Sequence, residues 1–142
     1  MSTLSAAMSA AASALTAERT RIETAVSNLA NAESTRGPDG RPYRRRDVVL
    51  TSVSVGSFDA ALGRASAVGV EVAAIVEDQT APRRRYDPTH PDADAEGYVA
   101  LPNVDAAEEM VDMVGAARAY QANLAAVTLI RELIQRALEI GR

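Results

Sequence analysis

The sequence predicts an α+β fold in which long N- and C-terminal helices pair as an α-helical coiled coil, with a small β module inserted between them. Apolar residues recur every three or four positions at both ends of the chain, which is the spacing of one helix face. Between these ends, short valine-rich runs alternate with turn residues. The expected boundaries are residues 1–35 for the N-terminal helix, 36–102 for the β-rich module and 103–142 for the C-terminal helix.

The C-terminal helix carries the longest apolar stripe. Asn103 or Asp105 can cap its first free amides after Pro102, and Gly141 is a good terminator. At about 1.5 Å per residue the helix spans roughly 55 Å. One small domain cannot bury a stripe of that length, so a second long helix is expected to pack against it. The stripe consists of Ala106, Met110, Met113, Ala117, Tyr120, Leu124, Val127, Ile130, Ile134, Ala137 and Ile140.

The N-terminal helix has a coiled-coil repeat of 3.5 residues, which ends near Asn31. Many of its seam positions are alanine, and at about 0.8 kcal/mol per buried methylene such a seam is weak alone. Residues 2–17 are nearly all Ser, Ala and Thr, so we expect them to be disordered in a free monomer and helical once packed. The seam consists of Met1, Leu4, Met8, Ala11, Leu15, Glu18, Ile22, Ala25 and Leu29.

The β module contains four expected strands. The first covers residues 48–50 and extends weakly to 55, and the second covers residues 68–77, with Val68, Val70, Val72 and Val76 on one face. Residues 83–86 predict a short edge strand and residues 98–101 a last strand. Residues 57–67 are ambiguous and could form one helical turn. The module is expected to loop out from the paired helices.

No constellation in the chain predicts catalysis or a cofactor. Residues 92–97 resemble half of an EF-hand loop, but Asn103 at the twelfth position cannot supply the bidentate carboxylate, so a solvated acidic turn is the better interpretation. The single histidine, His90, lies in a loop between Thr89 and Pro91, where a turn hydrogen bond is the commoner use. We therefore expect no catalytic residue, no cofactor and no metal site.

Arginine supplies all fifteen basic side chains, with clusters at residues 44–46 and 83–85, while the net charge is -4. These clusters could grip phosphates, but ion pairs between subunits are the preferred interpretation because the chain also has 19 acidic residues. The chain has no cysteine, which excludes disulfides and thiolate metal sites. It also has no apolar run of membrane-spanning length, and no cleaved signal peptide is expected.

Three motifs together resemble the bacterial flagellar basal-body rod proteins. The first is Ser-Asn-Leu-Ala-Asn-Ala at residues 27–32, followed by Thr-Arg at 35–36 and Pro-Tyr-Arg-Arg at 42–45. The second runs from Tyr86 through His-Pro-Asp-Ala-Asp at 90–94 to Leu-Pro-Asn-Val at 101–104. The third combines Glu-Glu-Met-Val-Asp-Met at 108–113 with Arg-Ala-Tyr-Gln-Ala-Asn at 118–123. The match covers most of the chain and is weakest over residues 51–68.

The resemblance implies a structural subunit of the proximal rod, the periplasmic drive shaft that transmits torque from the membrane ring to the hook. It further implies export by the flagellar type III apparatus without a cleaved signal peptide. The implied partners are the chain itself, other rod proteins, membrane-ring/rod adaptor proteins and the export apparatus, with no nucleic acid and no small-molecule substrate. The alternatives are a soluble coiled-coil adaptor or export-linked regulator, and an arginine-mediated nucleic-acid binder.

The expected assembly residues lie in the helix seams and in the loop before the C-terminal helix. On the family signature positions, Asn28, Asn31, Tyr120 and Asn123 are expected to have packing and helix-end roles. The loop is stiffened by three prolines and is expected to contact a neighbour through Tyr86, Asp92, Asp94 and Tyr98. The full set of seam residues is Leu15, Ile22, Asn28, Leu29, Asn31, Met110, Met113, Tyr120, Asn123, Leu124, Val127 and Ile134.

Overall fold

A computed structural model describes residues 3–37, 39–55 and 67–140. In chain order its elements are α1 (Thr3–Ala30), β1 (Arg46–Val55), β2 (Ala67–Glu77), β3 (Arg83–Tyr86), β4 (Tyr98–Leu101) and α2 (Ala106–Ile140). β1 pairs with β2 and β3 with β4, each as an antiparallel two-stranded sheet. The α+β class and the four expected strands are thus confirmed. The ambiguous segment lies outside the described residues apart from Ala67, as do Met1 and Gly141.

The first turn of α2 is capped by Asp105. Its Oδ1 atom accepts the amide of Ala107 at 2.8 Å, and its carbonyl accepts the amide of Glu109 at 3.0 Å. The helix therefore begins at Ala106, which confirms Asp105 rather than Asn103 as the cap and places the helix start three residues after the expected boundary at 103.

α1 is covered on two sides, by α2 and by the β1–β2 hairpin. The expectation that the β module loops out is therefore wrong for this hairpin. The Val70 amide of the hairpin donates to the Ser13 Oγ atom of α1 at 3.0 Å. Only a narrow row of α1 side chains is exposed between residues 4 and 30, and it consists of Ser5, Ser9, Ala12, Thr16, Arg19, Glu23, Val26 and Ala30.

A β-bulge in β2 changes which valines share a face. Leu50 pairs with Val72 and Val49 with Ala74, so one residue of β2 has no partner opposite it. Because paired residues lie on the same face, Val72 and Val76 lie on opposite faces of the sheet. The predicted common face therefore holds only from Val68 to Val72.

The core lies near the junction of α1, β4 and α2. Seven apolar side chains are buried among the described residues, and four of them are alanines. The larger ones are Val99 and Leu101 of β4 and Val104 just before α2. No described helix combines the length and the apolarity that a membrane crossing requires.

Candidate functional site

A buried polar junction joins the end of α1 to the starts of β1 and α2. At its centre is Asn28, whose exposed fraction is 1%. Its Nδ2 atom donates to the Arg46 carbonyl at 2.8 Å and to Glu109 Oε2 at 2.9 Å. Its Oδ1 atom accepts from the Tyr43 hydroxyl and from the Arg46 amide, each at 2.9 Å. The carboxamide thus uses both donors and both acceptor positions.

The second buried polar residue of the junction is Glu109, whose exposed fraction is 2%. Its Oε1 atom accepts from Arg45 Nε at 2.7 Å, while the other oxygen accepts from Asn28. Partial burial alone would lower the pKa of Arg45, but the hydrogen bond and charge of Glu109 outweigh burial, and the net pKa is raised. Arg45 also lies 3.8 Å from a carboxylate oxygen of Asp112, on the next turn of α2.

This network fixes α1, β1 and α2 relative to one another. Among the described residues, no buried side-chain nitrogen or oxygen lacks a hydrogen-bond partner. Removing one member of such a network leaves another buried polar group unpaired, which makes sliding of one helix along the other costly. The arrangement positions elements and presents no reacting group.

The loop between β3 and β4 is tied to the segment that follows α1. Asp92 accepts from the Thr35 hydroxyl at 2.8 Å and pairs with Arg36 at 3.0 Å. A further ion pair joins Arg85 to Glu33 at 3.0 Å. The acidic loop is therefore held against the same end of α1 as the polar junction.

Asp94 organises the tip of the loop. Its Oδ1 atom accepts the amides of Tyr98 and Glu96, each at 2.9 Å, and its Oδ2 atom pairs with Arg84 at 2.6 Å. The amide of Tyr98 is the main reason that the pKa of Asp94 is lowered, and Arg84 lowers it further. The half EF-hand sequence thus forms a hydrogen-bonded turn in this structure.

The expected loop tyrosines are exposed and contact each other. The rings of Tyr86 and Tyr98 lie edge to face, 5.2 Å apart, with exposed fractions of 64% and 37%. Gly97, between the loop tip and β4, has a φ of 81°, and a Cβ there would lie 3.0 Å from the Tyr86 ring. The backbone thus passes closely under the tyrosine pair, which remains available to a partner.

The arginine clusters form most of their described ion pairs within the chain. Arg45 pairs with Glu109, Arg46 with Glu77, Arg84 with Asp94 and Glu96, and Arg85 with Glu33. Four of the six clustered arginines thus have carboxylate partners inside one subunit, and ion pairs between subunits stay a prediction.

Most of the predicted seam residues are buried or half-buried. Asn28 is buried, and Asn31 is half-buried with its Nδ2 atom on the Ser27 carbonyl at 2.8 Å. Met110 and Leu124 differ, because their exposed fractions are 50% and 49%. The remaining seam residues are half-buried, namely Leu15, Ile22, Leu29, Met113, Tyr120, Asn123, Val127 and Ile134.

Sequence reasoning missed Glu109 and Ala116 as members of the α2 seam. Both are buried. Counting back four positions from Met113 reaches Glu109, and counting on by three reaches Ala116, so the 3.5-residue repeat itself contains the signal. The predicted stripe selected Met110 and Ala117 in their places.

α2 leaves a large apolar surface uncovered. Sixteen large apolar or aromatic side chains are exposed among the described residues, and seven of them belong to this helix. A surface of this extent on a small chain marks a contact with another molecule. The seven are Met110, Val111, Val114, Leu124, Leu129, Leu133 and Leu138.

Comparison with known proteins assigns the class. Residues 1–38 match the family model of the flagella basal body rod protein, and residues 95–140 match the C-terminal model of the flagellar basal body rod FlgEFG protein. These two ranges contain α1 and α2 with Asn28 and Glu109. The hairpin and Arg45 lie between them.

Full-length relatives define the class further. The chain is 44% identical to the flagellar basal-body rod protein FlgC of Salmonella typhimurium, over 93% of each chain. It is 44% identical to FlgC of Bacillus subtilis, over 95% of this chain and 96% of that relative. For FlgC of Borreliella burgdorferi the identity is 38%, over 96% and 97%. The chain belongs to the FlgC family of flagellar basal-body rod proteins and is a structural subunit of the basal-body rod.

Proposed function

We propose that the chain assembles into the rod through the α1–α2 pair, which acts as a coiled coil and packs against the helices of neighbouring subunits. The observation that carries this proposal is the exposure of seven large apolar side chains on α2. In the single chain these side chains face solvent, and burying them against neighbours supplies a hydrophobic driving force of about 25 cal/mol per Å².

The pattern on the covered side of α2 supports the coiled-coil part of the proposal. Its buried and half-buried positions step alternately by four and three residues, as in a 3.5-residue repeat. The seam also contains several alanines, which allow the two helix axes to approach closely. The alternating positions are Glu109, Met113, Ala116, Tyr120, Asn123, Val127, Ile130 and Ile134.

Family membership supports the finer parts of the proposed role. The rod lies in the periplasm and transmits torque from the membrane ring to the hook. The chain reaches it through the flagellar type III export apparatus without a cleaved signal peptide. Its partners are other rod proteins, further copies of itself and the adaptor proteins between membrane ring and rod.

The loop tyrosines form a second contact in this proposal. Tyr86 and Tyr98 are exposed and pack on each other, so they present a rigid aromatic surface to a neighbour. Asp92 and Asp94 hold the loop in shape through bonds within the chain, and Arg84, the partner of Asp94, lies over the Tyr98 ring at 4.6 Å. The loop thus offers an apolar centre with a polar rim.

The test replaces Leu124 by aspartate. Because Leu124 is half exposed in the single chain, the Leu124→Asp variant is expected to fold with nearly unchanged free energy of unfolding. In the rod, the new carboxylate would be buried against a neighbour at a cost of several kcal/mol unless paired. We therefore expect loss of motility in the source bacterium deleted for its own gene, and absence of the chain from isolated basal bodies.

Thr51→Asp is the matched control, since it adds the same charge at an exposed polar position of β1, outside α2. This control is expected to retain motility. Leu29→Asp provides the contrast, because Leu29 is half-buried within the chain and its substitution is expected to lower the free energy of unfolding as well. Normal motility of the Leu124→Asp strain would refute assembly through this surface of α2.

A further inference from the structure

A basic cleft lies beside the polar junction, on the side away from α2. Its volume is about 610 Å³, and Pro42 and Tyr43 supply an apolar part of its wall. The charged side chains that line it comprise four arginines and two acids, so its own charge is positive. They are Arg36, Arg41, Arg44, Arg46, Asp39 and Glu77.

Two of the four arginines have no carboxylate partner among the described residues. Arg36 is paired with Asp92 and Arg46 with Glu77. Arg44 donates to the neutral side chain of Gln79, and Arg41 is in no described ion pair. The cleft therefore carries two uncompensated guanidinium groups, which suit carboxylates of another polypeptide.

A surface of opposite charge lies across the junction, on the first turns of α2. Glu108 is exposed and has no described ion pair, and the side chain of Asp112 is 54% exposed. Between them Val111 is 71% exposed, which places an apolar side chain at the centre of an acidic patch. We define the acidic patch as Glu108, Val111 and Asp112.

Residues 44–46 form extended backbone, which explains why the cleft and the acidic patch lie close together but on different sides of this segment. Side chains alternate along extended backbone. Arg45 turns toward Glu109 of α2, while Arg44 and Arg46 line the cleft. Two copies placed side by side, in the same orientation, could therefore bring the cleft of one onto the acidic patch of the next.

We propose that this contact forms between copies of the chain in the rod: the basic cleft of one copy receives the acidic patch of a second copy. Glu108 pairs with Arg41 and Arg44, and Val111 packs against Tyr43. The inference rests on the proposed function, because it names two surfaces through which rod subunits meet. The two surfaces differ, so the contact is heterologous and builds a ring or an open helix.

The test uses the absence of cysteine from the sequence. Two single-cysteine chains, Arg44→Cys and Glu108→Cys, are co-expressed in the source bacterium deleted for its own gene. The strain is treated with a short bismaleimide, because an arginine–glutamate pair separates its Cα atoms by more than a disulfide allows. We expect a covalent dimer that needs both variants. The matched control replaces Arg44→Cys by Thr51→Cys, at an exposed position of β1 that lines neither the cleft nor the acidic patch.

A charge exchange provides a second measurement. Arg44→Glu or Glu108→Arg alone is expected to lower the amount of chain in basal bodies about tenfold, which corresponds to about 1.4 kcal/mol. The variant with both changes is expected to recover most of that loss, because the opposite charges meet again. Thr51→Glu is the control for an added carboxylate and is expected to change incorporation by less than about twofold.

The outcomes separate this inference from the proposed function. If both single-cysteine chains are present in basal bodies but give no more dimer than the control pair, the contact between copies is wrong. Linkage of the Arg44→Cys chain to a different rod protein would also overturn it, since the occupant would then not be a second copy. If the unmodified chain itself is missing from basal bodies, the proposed function fails and the contact fails with it.

Discussion

Replacing Asn28 by aspartate tests the polar junction with the smallest change of shape. The carboxamide donates to the Arg46 carbonyl and to Glu109, at 2.8 and 2.9 Å. An introduced carboxylate cannot donate, so it would lie against two acceptors, one of them negatively charged. Each buried acceptor that loses its donor costs about 1–3 kcal/mol, and repulsion adds to this. We expect the free energy of unfolding to fall by about 4 kcal/mol at pH 7.5.

The loss in free energy of unfolding caused by Asn28→Asp should become smaller as the pH falls. Burial beside Glu109 raises the folded-state pKa of the introduced carboxyl above its unfolded value. The destabilisation is therefore complete above the folded pKa and is relieved as the pH falls toward the unfolded value, where the protonated group can donate one hydrogen bond. We expect the deficit relative to the parent chain to be clearly smaller at pH 4.5 than at pH 7.5.

Urea titrations followed by circular dichroism at the two pH values measure this difference. Asn123→Asp is the matched control, since Asn123 is half-buried and its described side-chain bond is one intrahelical donation to the Ala119 carbonyl at 2.9 Å. Its cost is expected to be below about 1 kcal/mol. A deficit for Asn28→Asp below about 1 kcal/mol at pH 7.5, or one independent of pH, would refute the role assigned to the junction.

Three further predictions follow from the loop and from α1. Gly97→Ala should lower the free energy of unfolding by about 2–3 kcal/mol, and Gly40→Ala by about 1 kcal/mol. Both residues have positive φ, but an added Cβ meets the Tyr86 ring only at Gly97, since open space surrounds Gly40. Equal losses for the two variants in urea titrations would contradict the close contact. The hydrogen bond from the Tyr98 amide to Asp94 stabilises the loop fully above the ordinary pKa of 3.8 for this carboxyl group, and this stabilisation is lost as the pH falls below that value. In NMR spectra the Tyr98 amide signal should therefore weaken at acidic pH, and it should weaken much less in the Asp94→Asn variant. Amide exchange in free monomer should be fast over residues 1–15 and slow in the β module; uniform protection would contradict it.

The alternation of apolar residues predicted the strands, but it did not show which element of the fold packs against them. Period-two patterns identified β1 and β2, because each strand needs one face away from water. The same pattern cannot say which element supplies the cover, and the hairpin lies along α1. The bulge opposite Val49 and Leu50 was also invisible in the sequence, since no glycine or proline marks it.

The polar junction could be predicted from the sequence only in part. Asn28 was selected because it falls on a family signature, yet its four hydrogen bonds depend on the path of residues 43–46, which no periodicity describes. Glu109 stood out only as part of the Glu-Glu-Met-Val-Asp-Met motif, since acidic residues are common in the first turn of a helix. Its burial depends on Arg45, and sequence spacing does not show that these two residues, 64 positions apart, meet.

The composition of the α1–α2 seam explains why a chain of this kind needs a polar junction at one end. Alanines such as Ala17, Ala25 and Ala116 are nearly interchangeable when one helix slides along the other, so they specify register weakly. Asn28 and Glu109 can pair in one register only, because any shift leaves buried donors or acceptors unpaired. The junction thus defines the fold at one end, while the rest of α2 keeps apolar side chains exposed for neighbours. In the proposed function, a subunit with this division folds before assembly and presents the surface through which the rod forms.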